Sequence, residues 1–166
     1  MNCSVRNHSR ALLLALSLTS AALAPVGQVF AQSAAPYGPA ISQAMAEKVA
    51  VAAMAHAKEN KWRMAIAVVD PHGFLVHFVR MDDTQTVGPT IAIEKARTAA
   101  MFRRPSRVFE EGLAKRPAYL GLPGATPIIG GVPIILDGKV VGGIGVSGAA
   151  SDEDEQAAIA GLRALK

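Results

Sequence analysis

Residues 64–81 read MAIAVVDPHGFLVHFVRM and contain the clearest strand pattern of the chain. Two apolar runs, residues 64–70 and 74–81, flank the turn sequence Pro71-His72-Gly73. Two such runs joined by a short glycine-containing turn predict an antiparallel β-hairpin. Alternation along the second run predicts one face made of Phe74, Val76, Phe78 and Arg80, and an opposite face made of Leu75, His77, Val79 and Met81.

A second hairpin is predicted near the end of the chain. Residues 132–137 and 140–147 have strand patterns on either side of Gly138-Lys139, and Asp137-Gly138 is the strongest short hairpin signal. The glycine cluster Gly142-Gly143-Ile144-Gly145 lies inside the second of these strands and precedes no phosphate-binding helix. We therefore expect it to pack closely against the backbone of a neighbouring helix.

Helical periodicity occupies most of the remaining chain. It predicts helices over residues 41–61 and 87–103, the latter with Pro89 in its first turn and a stripe of small residues that lets it sit close on a sheet. The stripe consists of Ala92, Ala96, Ala99 and Ala100. Ser106 is expected to cap a short helix through Lys115, residues 116–124 read as a loop, and Ser151 is expected to cap a final helix with four acids in its first turn.

The order helix, hairpin, helix, short helix, hairpin, helix indicates an α+β fold, in which an antiparallel sheet is flanked by helices. A hydrophobic content of 51% is too high for a disordered chain. Residues 41–166 are predicted to form a single domain, and the Pro/Gly-bearing residues 32–40 a flexible lead-in.

The N-terminus has the pattern of a secretory signal peptide over residues 1–31. Arg6 and Arg10 precede an uncharged Leu/Ala-rich stretch, residues 11–24, and Val29-Phe30-Ala31 supplies a small-residue cleavage site. The alternative is an uncleaved anchor, but the apolar stretch is shorter than the roughly 20 residues that span a bilayer. We expect cleavage after Ala31 and a periplasmic or secreted protein without a stable membrane anchor.

Removing the leader changes the charge and the cysteine count. The formal net charge falls from +4 to +2 because two arginines are lost, and no basic run remains, so nucleic acid is not expected as a partner. The single cysteine, Cys3, lies in the leader. A disulfide framework, a thiol nucleophile and a cysteine-ligated metal are therefore not expected in the mature chain.

The polar residues that suggest chemistry are Asp70, Arg80, Asp82 and Lys95, of which Asp70 and Asp82 lie at strand ends. Lys95 lies on a half-buried helix face, where it either forms a structural ion pair with Asp82 or Glu94, or receives a carboxylate as a pocket cation. In the second case Arg80 would help to hold the carboxylate, and Asp82 would move a proton as a general acid or base.

The three histidines of the mature chain are His56, His72 and His77, and no two lie at i, i+4 spacing on one helix. Each is either a satisfied structural group or a ligand.

Four motifs in order resemble the GlcG/HbpS family, a haem-binding, DUF336-like family. They are RMDD at 80–83, AIEKARTA at 92–99, GGVP at 130–133 and DGKVVGGIGVSGA at 137–149, and the resemblance covers residues 41–166. It implies a profilin-like, three-layer α/β/α fold with a roughly five-stranded antiparallel sheet, the fifth strand lying near residues 127–130. It also implies assembly into homo-oligomers.

The resemblance implies haem as the cofactor. Among the histidines, His56 and then His77 are the candidates for the iron ligand, since a histidine ligates the iron in one branch of the family. Lys95, Arg80 and the pair Arg103-Arg104 are candidates for the propionates. Either Met54 or Met81 is a candidate second axial ligand, the alternative for each being to fill core space.

Three hypotheses for the function remain open. The first is an exported haem-binding protein, involved in haem handling or redox sensing. The second is an enzyme, a hydrolase or isomerase of a small organic acid, and the third is a non-catalytic assembly subunit.

Overall fold

The computed structural model describes Met1 and residues 34–166. The predicted signal peptide beyond Met1, including Cys3, lies outside the described residues, as do Gln32 and Ser33. In the part of the chain that is described, no helix combines the length and the hydropathy needed to cross a bilayer.

Four strands and four α-helices make up the domain, in the order that the sequence predicts. The elements are α1 (Gln43–Glu59), β1 (Ala65–Val69), β2 (Leu75–Arg80), α2 (Gly88–Phe102), α3 (Arg107–Gly112), β3 (Gly131–Leu136), β4 (Lys139–Ser147) and α4 (Ser151–Leu162), with 3₁₀ turns at Pro117–Gly121 and Arg163–Leu165. The strand order is β2-β1-β4-β3 and every neighbouring pair is antiparallel. The α+β fold is thereby confirmed.

Helices cover both faces of the sheet and give the predicted three layers. On one face α1 and α4 pack on Ile66, Val68 and Ile144 in the larger apolar cluster. On the other face α2 packs on a smaller cluster that includes Ala65 and Ala67.

The glycines of β4 let α2 approach the sheet backbone. A Cβ atom built on Gly145 would collide with the carbonyl oxygen of Ala92, and one built on Gly143 would lie 2.5 Å from the carbonyl oxygen of Ala96. The predicted role of this cluster, close packing beneath a helix, is confirmed, as is the role of the alanine stripe.

The Asp137-Gly138 turn joins β3 and β4 as predicted. Both residues have positive φ, 49° and 72°, as a two-residue type I′ turn requires.

The predicted alternation of side chains between the two faces of β2 is interrupted by a β-bulge. Val76 and Val79 both pack against the cluster under α1 and α4, although strict alternation places them on opposite faces. The cause is a shift in the β1–β2 register between Val68 and Val69, where the partner changes from His77 to Leu75.

The prediction of a fifth strand near residues 127–130 is wrong for the described chain, whose sheet has four strands. Side chains rather than a strand bind this segment: the Glu110 carboxylate accepts a hydrogen bond from the backbone N–H of Ile129, and Ser106 Oγ donates to the carbonyl of Ile128.

Two predicted caps are also wrong. Ser106 Oγ makes no cap for α3, because it is engaged by the segment before β3, and α3 ends at Gly112 rather than at Lys115. Helix α4 is preceded by Ala150 as its N-cap residue, and the Glu153 carboxylate accepts a hydrogen bond from the Ala150 N–H.

Composition predicts a flexible lead-in over residues 32–40, whereas the described residues 36–38 are hydrogen-bonded to β4. The N–H of Gly38 donates to the carbonyl of Val140 at 2.8 Å, and the N–H of Val140 donates to the carbonyl of Pro36 at 2.8 Å. Strand β1 pairs with residues 143–147 of β4, so the lead-in satisfies backbone groups of β4 that β1 does not reach.

Candidate functional site

A cleft with several positive charges opens where the first hairpin meets α1. Its volume is about 230 Å³, and we call it the basic cleft. It is lined by Met54, Lys58, Arg63, Arg80, Met81 and Asp82.

The hairpin register brings the charged residues of this cleft together. Ala65 is paired with Arg80, and the N–H of Met81 donates to the carbonyl of Met64 at 3.0 Å. Arg63 and Asp82 are the next residues on the two segments, and both line the cleft. Met54 and Lys58 complete the cleft from α1, where residues four apart share a face.

A tight turn fixes the backbone at Asp82. Thr84 Oγ1 donates to the carbonyl of Met81 at 2.7 Å, and Thr84 is buried. Asp83 has a φ of 60°, a conformation that an aspartate adopts more readily than most residues. Asp82 therefore projects from a defined turn immediately after β2.

Other arginines of the domain form ion pairs, whereas the cations of the basic cleft do not in the described part of the chain. Arg97 binds Glu94 at 2.6 Å, and Arg107 binds Glu155 at 2.6 Å. Within residues 34–166, Lys58, Arg63 and Arg80 have no ion pair within 4.0 Å.

A second cleft, of about 170 Å³, lies between α1 and α4, and we call it the His56 cleft. It is lined by His56, Gln156, Ile159, Ala160 and Arg163. The His56 ring meets the Trp62 ring edge-on at 5.7 Å, and its Nε2 lies 3.5 Å from Asn60 Nδ2, at the outer limit of a hydrogen bond. The cleft therefore combines an imidazole, an apolar wall and one guanidinium.

The two clefts lie on different sides of α1. A helix turns about 100° per residue, so His56 is rotated by about 200° from both Met54 and Lys58. A single ligand bound through His56 and Arg80 therefore does not match this geometry, although the sequence suggested both residues for one haem.

Lys95 lies in neither of these clefts. It is 1% exposed, and its Nζ donates to Asp154 Oδ2 at 2.7 Å and to the carbonyl of Val146 at 3.0 Å. Burial raises the pKa of Asp154, and the charge of Lys95 opposes that rise. Of the two predicted alternatives the structural ion pair is the one formed, but the predicted partners, Asp82 and Glu94, are wrong.

The other predicted ligands are dispersed. His77 is half-buried on β2 opposite Val68, His72 is exposed in the turn, and neither lines either cleft. Arg103 stacks over the Tyr37 ring, with 4.9 Å from its Cζ to the ring centroid, and Arg104 donates to the carbonyl of Phe102.

Sequence reasoning missed Lys58, Arg63 and Arg163. The hairpin register was the available signal for Arg63, because the predicted turn at residues 71–73 already sets positions 63 and 82 near one another. In the described part of the chain no group of three or more His, Cys, Asp or Glu side chains is placed to hold a metal ion.

Residues 41–163 match the family model described as haem degrading protein HbpS-like. The chain belongs to this family. Protein GlcG of Escherichia coli strain K12 is 41% identical over 108 residues, which cover 64% of this chain and 81% of GlcG.

Solved structures of relatives share the fold of this HbpS-like chain. A double mutant of HbpS from Streptomyces reticuli is 32% identical with a TM-score of 0.74, covering 89% of this chain and 99% of that one. A structure described as a PduOC:heme complex is 23% identical with a TM-score of 0.69, covering 75% of this chain and 94% of that one. The second similarity shows the fold alone.

Proposed function

We propose that this protein binds haem in the His56 cleft, with the His56 imidazole as the iron ligand. The observation that carries the proposal is the cleft itself, where an imidazole stands beside Ile159 and Ala160 and within one cavity of Arg163. Haem needs these three elements: an axial ligand, an apolar surface for the macrocycle and a cation for a propionate. Membership of a family described as haem degrading supports the same ligand.

The donor set of this cleft fits haem better than that of the basic cleft. A neutral imidazole is a common axial ligand, and among residues 34–166 the His56 ring has no hydrogen-bond partner except Asn60 Nδ2 at 3.5 Å. In the basic cleft the candidate axial ligands are the thioethers of Met54 and Met81, which are surrounded by charge. When bound, haem would supply the redox and oxygen chemistry of its iron, whereas the protein would supply the ligand, the apolar wall and the cation.

The His56 cleft is too small to enclose a whole haem. At about 170 Å³ it is smaller than the roughly 300–1,000 Å³ of pockets that enclose drug-sized ligands. One chain would therefore cover only part of the macrocycle, and a second copy in a homo-oligomer would cover more.

Titration of the purified protein with hemin, followed by the Soret band, tests this proposal. We expect a saturable Soret shift in the wild type that is lost or displaced in His56→Ala. His72→Ala is the matched control, because it removes an exposed histidine outside both clefts, and His77→Ala tests the second candidate. An unchanged spectrum in His56→Ala would overturn the assignment of the iron ligand.

The proposed setting is outside the cytoplasm, in haem handling or redox sensing, because residues 1–31 have the pattern of a signal peptide. The intact mass of protein purified from its native host tests this setting. We expect Gln32 or a neighbouring residue at the N-terminus, and retention of Met1 and Cys3 would contradict export.

An enzyme acting on a small organic acid is the second candidate function. The observation in its favour is that Arg80 and Asp82, the predicted anchor and proton-transfer residue, line one cleft. Lys95 is bound to Asp154 and takes no part in this version of the site. Turnover of a small acid that is lost in Asp82→Asn but retained in His56→Ala would favour this candidate.

A further inference from the structure

Three cations and one carboxylate converge on the basic cleft from three separate segments of the chain. Lys58 comes from α1, Arg63 from the residues before β1, and Arg80 and Asp82 from the end of β2. If all four groups are ionised, the lining carries a net charge of +2. A concave surface on which charges of one sign predominate concentrates the electric field and attracts ligands of the opposite sign.

These charges are not neutralised by their neighbours in the described structure. Across residues 34–166, none of the four side chains forms an ion pair within 4.0 Å, and none is party to a side-chain hydrogen bond. By contrast, Arg107 reaches three carboxylates, those of Glu111, Asp152 and Glu155. The hydrogen-bonding capacity of the cleft is therefore available to a ligand.

We propose that the basic cleft binds a small dianion, held by Lys58, Arg63 and Arg80. Two guanidinium groups can each make paired hydrogen bonds to an oxyanion, and the lysine adds a point charge. A cleft of about 230 Å³ favours a ligand of a few heavy atoms, in line with a short dicarboxylate or a phosphate group. The proposal does not depend on haem, because the His56 cleft lies on another side of α1.

Substitution of Asp82 tests the proposal, because it is expected to strengthen binding rather than weaken it. Its carboxylate repels a fully ionised ligand in the same cleft, so Asp82→Asn is expected to tighten dianion binding. A structural role for Asp82 alone would not produce tighter binding.

Calorimetric titration of the full mature protein with malonate, with inorganic phosphate and with acetate tests the proposal. We expect saturable binding of malonate or phosphate and weaker binding of acetate, which carries a single charge. The tighter of the two dianions identifies the source of the ligand as a carboxylate or a phosphate. Equal affinities for acetate and both dianions, or no saturable binding of either dianion, would overturn the proposal.

Substitutions of the three cations test whether the dianion binds in the basic cleft. Arg63→Gln and Arg80→Gln are each expected to weaken the preferred dianion about tenfold, equivalent to about 1.4 kcal/mol, with Lys58→Gln as a further variant. Arg116→Gln is the matched control, because it removes the same charge from an exposed position that does not line the cleft. Equal weakening by Arg116→Gln would show a general charge effect and would also overturn the proposal.

Discussion

At the residue scale, Lys95 and Asp154 form the one ion pair among residues 34–166 in which both side chains are buried. Both side chains are almost fully buried, with relative exposures of 2% and 3%. Breaking a buried ion pair on one side leaves the remaining charge without compensation, which typically costs about 3–5 kcal/mol. We expect Lys95→Met to lower the free energy of unfolding by about that amount, measured by urea denaturation. Lys95→Met combined with Asp154→Leu is expected to recover most of it.

The same pair gives a prediction about pH. Burial already raises the pKa of Asp154, and removing Lys95 removes the charge that opposes this rise. A carboxyl group with a raised pKa in the folded state stabilises most below its unfolded pKa, and that stability is lost as pH rises through the folded value. The loss caused by Lys95→Met is therefore expected to be smaller near about pH 4 than near pH 7. Equal losses at both pH values would contradict this account of the pair.

The sequence left two roles open for Lys95, a structural ion pair and a pocket cation, and it did not indicate Asp154 as the partner. Periodicity on α2 indicated a half-buried lysine in need of a counter-charge. Glu94, its neighbour in sequence, instead binds Arg97 three residues along the same helix. Asp154 lies 59 positions away, and its approach depends on how α4 packs after β4, which helical periodicity does not encode.

At the element scale, the contact between α2 and β4 sets the distance between the helix and the sheet. Gly145 lies directly beneath Ala92 and Ala96, where a side chain would meet the helix backbone. We expect Gly145→Ala to destabilise the domain by about 3 kcal/mol or more, because backbone atoms cannot move aside as a side chain can. Thermal denaturation measures the effect.

Gly121→Ala is the matched control for this substitution. A Cβ at Gly121 meets nothing within 4 Å, so the same added methyl group is expected to change stability little. Similar effects of the two substitutions would contradict the argument from close packing.

The elements were largely predictable, and their exceptions have local causes. The turn sequences predicted both hairpins, and the small residues of α2 and β4 indicated that these two elements pack closely. The fifth strand and the Ser106 cap failed because the side chains of Ser106 and Glu110 bind the backbone of residues 128–131 instead. Hydrogen bonds of this kind between distant segments cannot be predicted from the periodicity of apolar residues.

At the scale of the whole molecule, β2 is an edge strand that carries exposed apolar side chains. Phe74, just before it, is 70% exposed, and Leu75 is 47% exposed. Open apolar edges favour association with another chain. We propose that the mature protein is a homo-oligomer, and we expect light scattering at micromolar concentration to give at least twice the mass of one chain. A single-chain mass would contradict it.

The fold and the family were accessible from sequence, whereas the division of the site into two clefts was not. The motifs indicated the family, and the resemblance suggested His56 as the iron ligand and Arg80 as a propionate contact of the same haem. Their separation arises from the rotation of α1 between residues 54, 56 and 58, together with the packing of α4 against the His56 side. We therefore propose that haem lies in the His56 cleft and not in the basic cleft.

The measurement that tests this location most directly is methyl NMR of the isotope-labelled protein during titration with ferric hemin. Paramagnetic iron broadens nearby signals, so early loss of the Ile159 methyl signal is expected, while that of Ile93, on α2 at the opposite face of the sheet, persists. Loss of the Met54 and Met81 methyl signals while Ile159 remains sharp would place haem in the basic cleft and contradict the account.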